Sequence, residues 1–259
     1  MLNNKVVNIA AIFSLLVLVF LDKYLALSIP FWAYGLPLLI FLPPTIHGAI
    51  NIEAGFFMKV LCKADTTEKV VALSFDDGPD ATYTPQILDI LQQQEVPAAF
   101  FCIGKNIQGN EDLLKRIYAE GHVIGNHTYS HDFWFDMKLS GNMLADMQHM
   151  DAVTVHATGL TPRLFRPPYG VTNPNLARAV KAGNYLPVGW NIRSLDTVAK
   201  DETALLNRIL EQLTPGAIIL LHDTCKITAD ILPQLIYGIR QQGYQLERID
   251  KMLKVRAYV

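Results

Sequence analysis

The stretch Val70-Val71-Ala72-Leu73-Ser74-Phe75-Asp76-Asp77-Gly78-Pro79 decides how this chain is read. Val70–Phe75 is an apolar run interrupted only by Ser74, and its length and β-branched start suit a buried strand. Two adjacent carboxylates leave that strand, and Gly78-Pro79 turns the chain. Neighbouring residues on a strand point in opposite directions. One carboxylate is therefore expected to reach a metal and the other to face a substrate water. An Asx turn with a helix cap fits the same four residues.

Working outward, strands and helices alternate. Pro85–Gln94 carries Ile87, Leu88 and Leu91 at helical spacing, and Ala98–Ile103 is a second strand. Glu111–Glu120 reads as a helix capped by Asn110 and stopped by Gly121, followed by a short strand over His122–Gly125. Helices are expected over Met143–Ala157, Asn175–Ala182, Thr203–Leu213 and Ala229–Gln241. Strands are expected over Leu164–Arg166, Tyr185–Asn191, Ala217–Leu221 and Tyr244–Arg248. Such alternation implies right-handed βαβ units. The fold class is α/β: a distorted (β/α) barrel of about seven parallel strands.

The N-terminus differs in kind. Of the 37 residues Val6–Leu42, 29 are hydrophobic, and Asp22 and Lys23 are the only charges. Val6–Leu21 and Tyr24–Leu42 are two apolar runs near the length of a membrane span. Pro30 and Pro37 would kink the second. Two arrangements fit: a two-span hairpin turning at Asp22-Lys23, which is favoured, or one span plus a segment lying in the interface. Trp32, Tyr34 and Tyr24 suit the interface. A cleaved signal peptide fits less well, because Lys5 is the only early charge and no small-residue cleavage site follows. The expected organisation is a membrane anchor over residues 1–45, a connector over 46–64 and a catalytic domain over 65–259.

The composition excludes other classes. With 22 Lys+Arg against 24 Asp+Glu and no basic stripe, nucleic acid is not an expected partner. Cys62, Cys102 and Cys225 are too few and too far apart for a disulfide framework or a zinc cage. No obligate protein partner is evident.

Five polar clusters follow the C-terminal ends of expected strands, where barrel active sites are built. Asp76-Asp77 is the first. His127 and His131 form the second, at a spacing that shares one face if the segment is helical. Two His and one carboxylate leave positions open for water and substrate, as catalytic zinc requires. The third is Arg166-Pro167-Pro168-Tyr169-Gly170, in which the Tyr169 N–H can aim at an oxyanion and Arg166 can hold a carboxylate ionised. The fourth runs from Trp190 to Asp196. The fifth ends at His222, a plausible general acid with Asp196 as its partner. Each cluster alone also fits a turn or a structural residue.

Taken in order, these clusters closely resemble the polysaccharide deacetylases of the NodB-homology group, carbohydrate esterase family 4. The resemblance covers about residues 65–250. It implies Asp77, His127 and His131 as ligands of a divalent metal ion, usually zinc. It implies Asp76 as general base, oriented by Arg166, and Tyr169 as donor of the oxyanion-hole N–H. It implies His222 as general acid tuned by Asp196, and Leu221 as lining of the acetyl pocket. Pro167, Pro168, Trp190 and Arg193 would meet the substrate. Two positions depart from the family pattern: Thr197 replaces a common tryptophan and Arg193 a common aspartate, so the groove should be wider and more basic.

The implied function is removal of N-acetyl groups from amino sugars of a cell-envelope polysaccharide, releasing acetate. Its expected setting is membrane lipid, with the catalytic domain on the outer face. Alternatives are a deacetylase or deformylase of a lipid-linked sugar, and an inactive glycan-binding module.

Overall fold

In the computed structural model, which describes residues 3–259, the chain forms two apolar helices followed by an α/β domain. Helix α1 spans Asn4–Lys23, with the Asn3 side chain accepting from the Lys5 and Val6 N–H groups. Helix α2 spans Pro37–Ile50 and continues through Pro43 and Pro44. The two pack against each other as a hairpin. By length and composition, Asn4–Lys23 and Phe31–Ile50 are each apolar enough to cross a membrane.

The domain then alternates. Strands are β1 (Val70–Asp76), β2 (Ala98–Cys102), β3 (Val123–Asn126), β4 (Leu164–Phe165), β5 (Leu186–Pro187), β6 (Ile192–Arg193), β7 (Ala217–His222) and β8 (Gln245–Leu246). The helices after β1 are α3 (Tyr83–Gln93), α4 (Gly104–Ile107), α5 (Glu111–Ala119), α6 (Ser140–Thr158), α7 (Pro174–Ala182), α8 (Glu202–Leu210), α9 (Lys226–Gln241) and α10 (Ile249–Met252). Every strand pair is parallel. Seven strands run in the order β5-β4-β3-β2-β1-β7-β6, and β8 pairs with the start of β1.

The sheet curls, and side chains alternate between its faces. Val71, Leu73 and Phe75 of β1 pack outward with Leu88, Leu232 and Ile236 of the helix layer. Val70 and Ala72 face inward with Phe101, Ile218, Leu220 and Trp190. Ser74 and Asp76 continue the inward row. The inner face thus turns polar at its C-terminal end, which is where the site lies.

Of the strand expected over Tyr185–Asn191 only Leu186–Pro187 is paired, as β5, and the next strand, Ile192–Arg193, lies at the opposite edge of the sheet. After β5 the chain leaves β4 at Gly189, and Ile192–Arg193 pairs with Ile219 and Leu220 of β7. Asn191 Oδ1 accepts from the Ile218 N–H at 2.8 Å, which draws the chain across. An apolar run that serves two edges cannot be told from one long strand by its pattern. The gap between the edges is bridged by the segment before β1. Leu61 exchanges hydrogen bonds with Pro187 and Gly189, and Ala64 N–H donates to Gly216 O. Cys62, Cys102 and Cys225 are free thiols.

Candidate active site

Strand β1 delivers Asp76 to the inner face, 3% exposed. Asp76 Oδ1 accepts from Arg166 Nη1 at 2.7 Å. Arg166 follows β4 and is fully buried. Its remaining donors go to Ser74 Oγ, Val188 O and Gly189 O, and its guanidinium stacks 4.0 Å from the Phe101 ring centroid. Such a fork is matched to a carboxylate and several carbonyls at once. Ser74, unassigned by sequence reasoning, is part of this brace.

Asp77 has φ of 77°, in the left-handed region, so the chain turns as soon as the strand ends. Both carboxylates therefore reach one pocket, Asp77 by a backbone turn past the strand end rather than by strand alternation. Asp77 Oδ1 lies 3.4 Å from His127 Nε2 and 3.5 Å from His131 Nε2. The two histidines are not on a helix. Residues 127–131 form a loop in which Thr128 and His131 have positive φ. Asp146 of α6 shapes that loop by accepting from the Tyr129 and Ser130 N–H groups and from Ser130 Oγ. Sequence reasoning missed Asp146, because nothing local distinguishes it from an ordinary helix-surface acid.

Asp77, His127 and His131 bring one ligand atom each to within 4.8 Å of one another. Their state fits a cation. His127 Nδ1 lies 2.8 Å from Arg166 O, so Nδ1–H donates there and the Nε2 lone pair faces the pocket. Asp77 Oδ1 is buried without a hydrogen-bond partner. Burial alone would raise the Asp77 pKa, yet the neighbouring His127 holds it down at about 2. Burial, the largest cause, pushes His131 down to about 4, leaving a neutral imidazole. Two imidazoles and one carboxylate, with a free face, are the donor set of an open zinc-type site.

Opposite them stands His222 at the end of β7. Its Nδ1 is 2.7 Å from Asp196 Oδ1, and its backbone N–H donates to Asp196 Oδ2 at 2.7 Å. Thr228 Oγ and the Thr197 N–H also donate to Asp196, which is buried. Asp196 thus fixes the ring and leaves Nε2 toward Asp77, 4.0 Å from its Oδ2. Burial lowers the His222 pKa, but the Asp196 carboxylate outweighs it and raises it to about 9. Asp223, the next residue, is buried, with its pKa raised to about 7 by burial. It accepts from Thr84 Oγ and lies against Gly78, where a Cβ would come within 2.0 Å of its Oδ2.

Tyr169 has φ of 58°, and its N–H has no protein acceptor among the described residues. Gly170 follows with φ of 71°, and a Cβ there would meet Trp190 at 2.6 Å. Downstream, Thr172 donates from N and Oγ to Ala49 O and Gly48 O at the end of α2.

The pocket, of about 200 Å³, is lined by Asp76, Asp77, His127, His131 and His222. Pro167, Tyr169, Trp190, Arg193, Leu195, Thr197 and Leu220 complete it. Arg166 and Asp196 stand behind it, each holding a lining residue. Two expected contacts are corrected. Leu221 is buried in the outer core, because alternation on β7 puts Leu220 and His222 on the pocket side. Pro168 is buried behind Pro167 and does not line the pocket.

A family model described as polysaccharide deacetylase matches residues 63–188. A peptidoglycan-N-acetylglucosamine deacetylase of Bacillus cereus is 34% identical over 209 residues, covering 76% of this chain and 94% of that protein. The peptidoglycan-N-acetylmuramic acid deacetylase PdaA of Bacillus subtilis is 31% identical over 193 residues, covering 73% of each. Among solved structures, the chitin deacetylase of Colletotrichum lindemuthianum superposes with TM-score 0.72 at 29% identity, over 78% of this chain and 95% of that one. A carbohydrate esterase family 4 pseudoenzyme from Bacillus anthracis superposes with TM-score 0.71 at 26% identity, over 75% of this chain and 71% of that one.

Proposed function

The chain belongs to the polysaccharide deacetylase family, and from that premise we propose that it is an active, metal-dependent N-deacetylase of amino sugars in a cell-envelope glycan. One observation carries the reading: a braced carboxylate, Asp76, and a braced imidazole, His222, share one pocket with three convergent metal-ligand side chains. Acid and base are set apart by their partners, arginine for one and aspartate for the other.

Asp77, His127 and His131 would hold the metal. A divalent ion there, zinc by donor type, supplies Lewis-acid polarisation of the acetamide and eases ionisation of water. Asp76, with Oδ1 occupied by Arg166, uses Oδ2 to take the proton of the attacking water. The Tyr169 N–H donates to the oxyanion that develops. His222, charged at neutral pH, gives its Nε2 proton to the departing amine. Acetate and a free amino sugar result.

The α1–α2 hairpin anchors the enzyme in a membrane, with the catalytic domain on the outer face. This is supported by two exposed apolar helices of spanning length and by relatives named for peptidoglycan. The test is acetate release, with the deacetylated product identified by mass spectrometry. Zinc-loaded full chain in detergent is given peptidoglycan, chitin oligomers and a lipid-linked amino sugar. Release from a glycan polymer is expected. Release from the lipid-linked sugar alone would move the substrate to the membrane carrier. Glycan binding without release from any of them would refute the enzyme reading and leave a binding module.

A further inference from the structure

The charged groups that line the pocket are almost all partnered within the protein. Asp76 is held by Arg166, Asp77 lies among His127, His131 and His222, and His222 is held by Asp196. Arg193 is the exception. It lines the same pocket from β6, in register with Leu220, and forms no salt bridge among the described residues. Ile192 and Ser194 on either side of it are buried, so alternation fixes which way Arg193 faces. Arg208 of α8 donates from Nε to Arg193 O at 3.5 Å and is likewise without a carboxylate partner. The Arg193 side chain therefore stands at the pocket wall with no anion from the protein among the described residues. The neighbouring wall residue is Thr197, whose short side chain leaves room beside the reacting position.

An unpaired surface arginine is ordinary. Arg193 is itself exposed, but as a lining residue of the reaction pocket it is within reach of whatever is bound there, and its planar fork matches a carboxylate or phosphate. We propose that Arg193 selects amino sugars carrying an anionic group next to the acetamide. The group is either a carboxylate on the sugar, as in a lactyl ether, or a phosphate at the reducing carbon. This deepens the deacetylase reading and rests on it.

Three probes separate the sources: a neutral N-acetylglucosamine oligomer, the matching oligomer with N-acetylmuramic acid residues, and N-acetylglucosamine 1-phosphate. The readout is the ratio of kcat/KM for each anionic probe to that for the neutral one, at two salt concentrations. The zinc-loaded wild type is expected to favour one anionic probe, less so at high salt. Arg193→Ala is expected to lower that ratio about tenfold or more, the loss of a charge-assisted hydrogen-bonded pair. Arg193→Lys should retain part of it, and Arg193→Glu should reverse the preference. The same order is expected for binding of the anionic probe to the Asp76→Asn chain. An unchanged ratio in Arg193→Ala, or no wild-type preference for either anionic probe, overturns the inference and leaves the deacetylase reading standing. No acetate from any probe removes both.

Discussion

Replacing Arg166 by Met should destabilise the fold strongly, and the reason lies in its surroundings. Arg166 is fully buried, and its Nη1 is 2.7 Å from Asp76 Oδ1, itself 3% exposed. Methionine fills comparable volume but leaves the Asp76 carboxylate without its cation, along with the Val188 and Gly189 carbonyls it satisfies. Removing one partner of a buried pair costs about 3–5 kcal/mol. In a chain of this size each kcal/mol moves Tm by about 2–4 °C. A fall on the order of 6–20 °C is therefore expected for Arg166→Met, and Arg166→Lys should recover little, since an ammonium cannot reach four separated acceptors. The decisive assay is a double-mutant cycle with Asp76→Asn, by thermal unfolding of the chelated chain in detergent at pH 7. The double variant Asp76→Asn/Arg166→Met should cost less than the sum of the singles by about 1–3 kcal/mol. Additive costs, or a Tm fall below about 2 °C in Arg166→Met, would refute the claim that the arginine compensates this carboxylate.

Three further outcomes follow from the geometry. Chelation should stop acetate release and added zinc restore it, while Asp77→Ala retains no metal by elemental analysis and Asp76→Asn retains it but loses most activity; an active, metal-loaded Asp76→Asn would sink its assignment as base. In the chelated protein, the raised pKa of His222 means its stabilising pairing is full below its ordinary value near 6.5 and lost as pH rises toward about 9. Asp196 is depressed, so its share is lost only as pH falls through the acid range. The Tm difference between wild type and Asp196→Asn should therefore shrink between pH 7 and 9, and parallel curves would contradict it. Finally, Thr172→Val removes the hydroxyl donor to Gly48 O, which should cost about 1 kcal/mol and lower kcat with metal content unchanged, with Thr172→Ser restoring both.

Much of this molecule is legible in its sequence because the signals are local. The apolar strand through Phe75, the helical spacing of Ile87, Leu88 and Leu91, and the helix stop at Gly183 each act within a few residues. The clusters at strand ends are legible for the same reason, and the pocket gathers Asp76, Asp77, His127, His131, Tyr169 and His222. What escapes the sequence depends on backbone turns and on distant partners. Asp77, Thr128, His131, Tyr169 and Leu195 all have positive φ, so half of the ten non-glycine residues in that region, among the described residues, lie in the site loops. Each such conformation costs about 1–3 kcal/mol unless its surroundings enforce it. Asp146 and Trp190, which help to enforce them, are remote in sequence, and Thr172, though near Tyr169, acts through its bonds to the distant end of α2. The resemblance places Leu221 at the pocket, where Leu220 stands, because the phase of a strand follows from where its end is anchored.

The same logic bears on the apolar N-terminus. A simple tether would leave the catalytic domain free to turn, and its end would touch nothing of the site. Here the last turn of α2 accepts two hydrogen bonds from Thr172, three residues beyond Tyr169. Gly48 sits so close to Phe56 that an added Cβ would lie 2.3 Å from its ring, and Ile52 is packed against Gly189. Leu61 and Ala64 then span the open edge of the sheet. The loop that presents the Tyr169 N–H is therefore clamped between Trp190 beneath Gly170 and the end of α2. A left-handed residue flanked by two such clamps has little freedom to relax. If the hairpin spans a bilayer, that clamp also sets the distance from pocket to lipid. A chain of three residues reaches at most about 11 Å, so the oxyanion loop lies close to the end of the apolar helix. The contacts that hold the Tyr169 loop in shape are therefore the same ones that fix the α/β domain to the end of the hairpin.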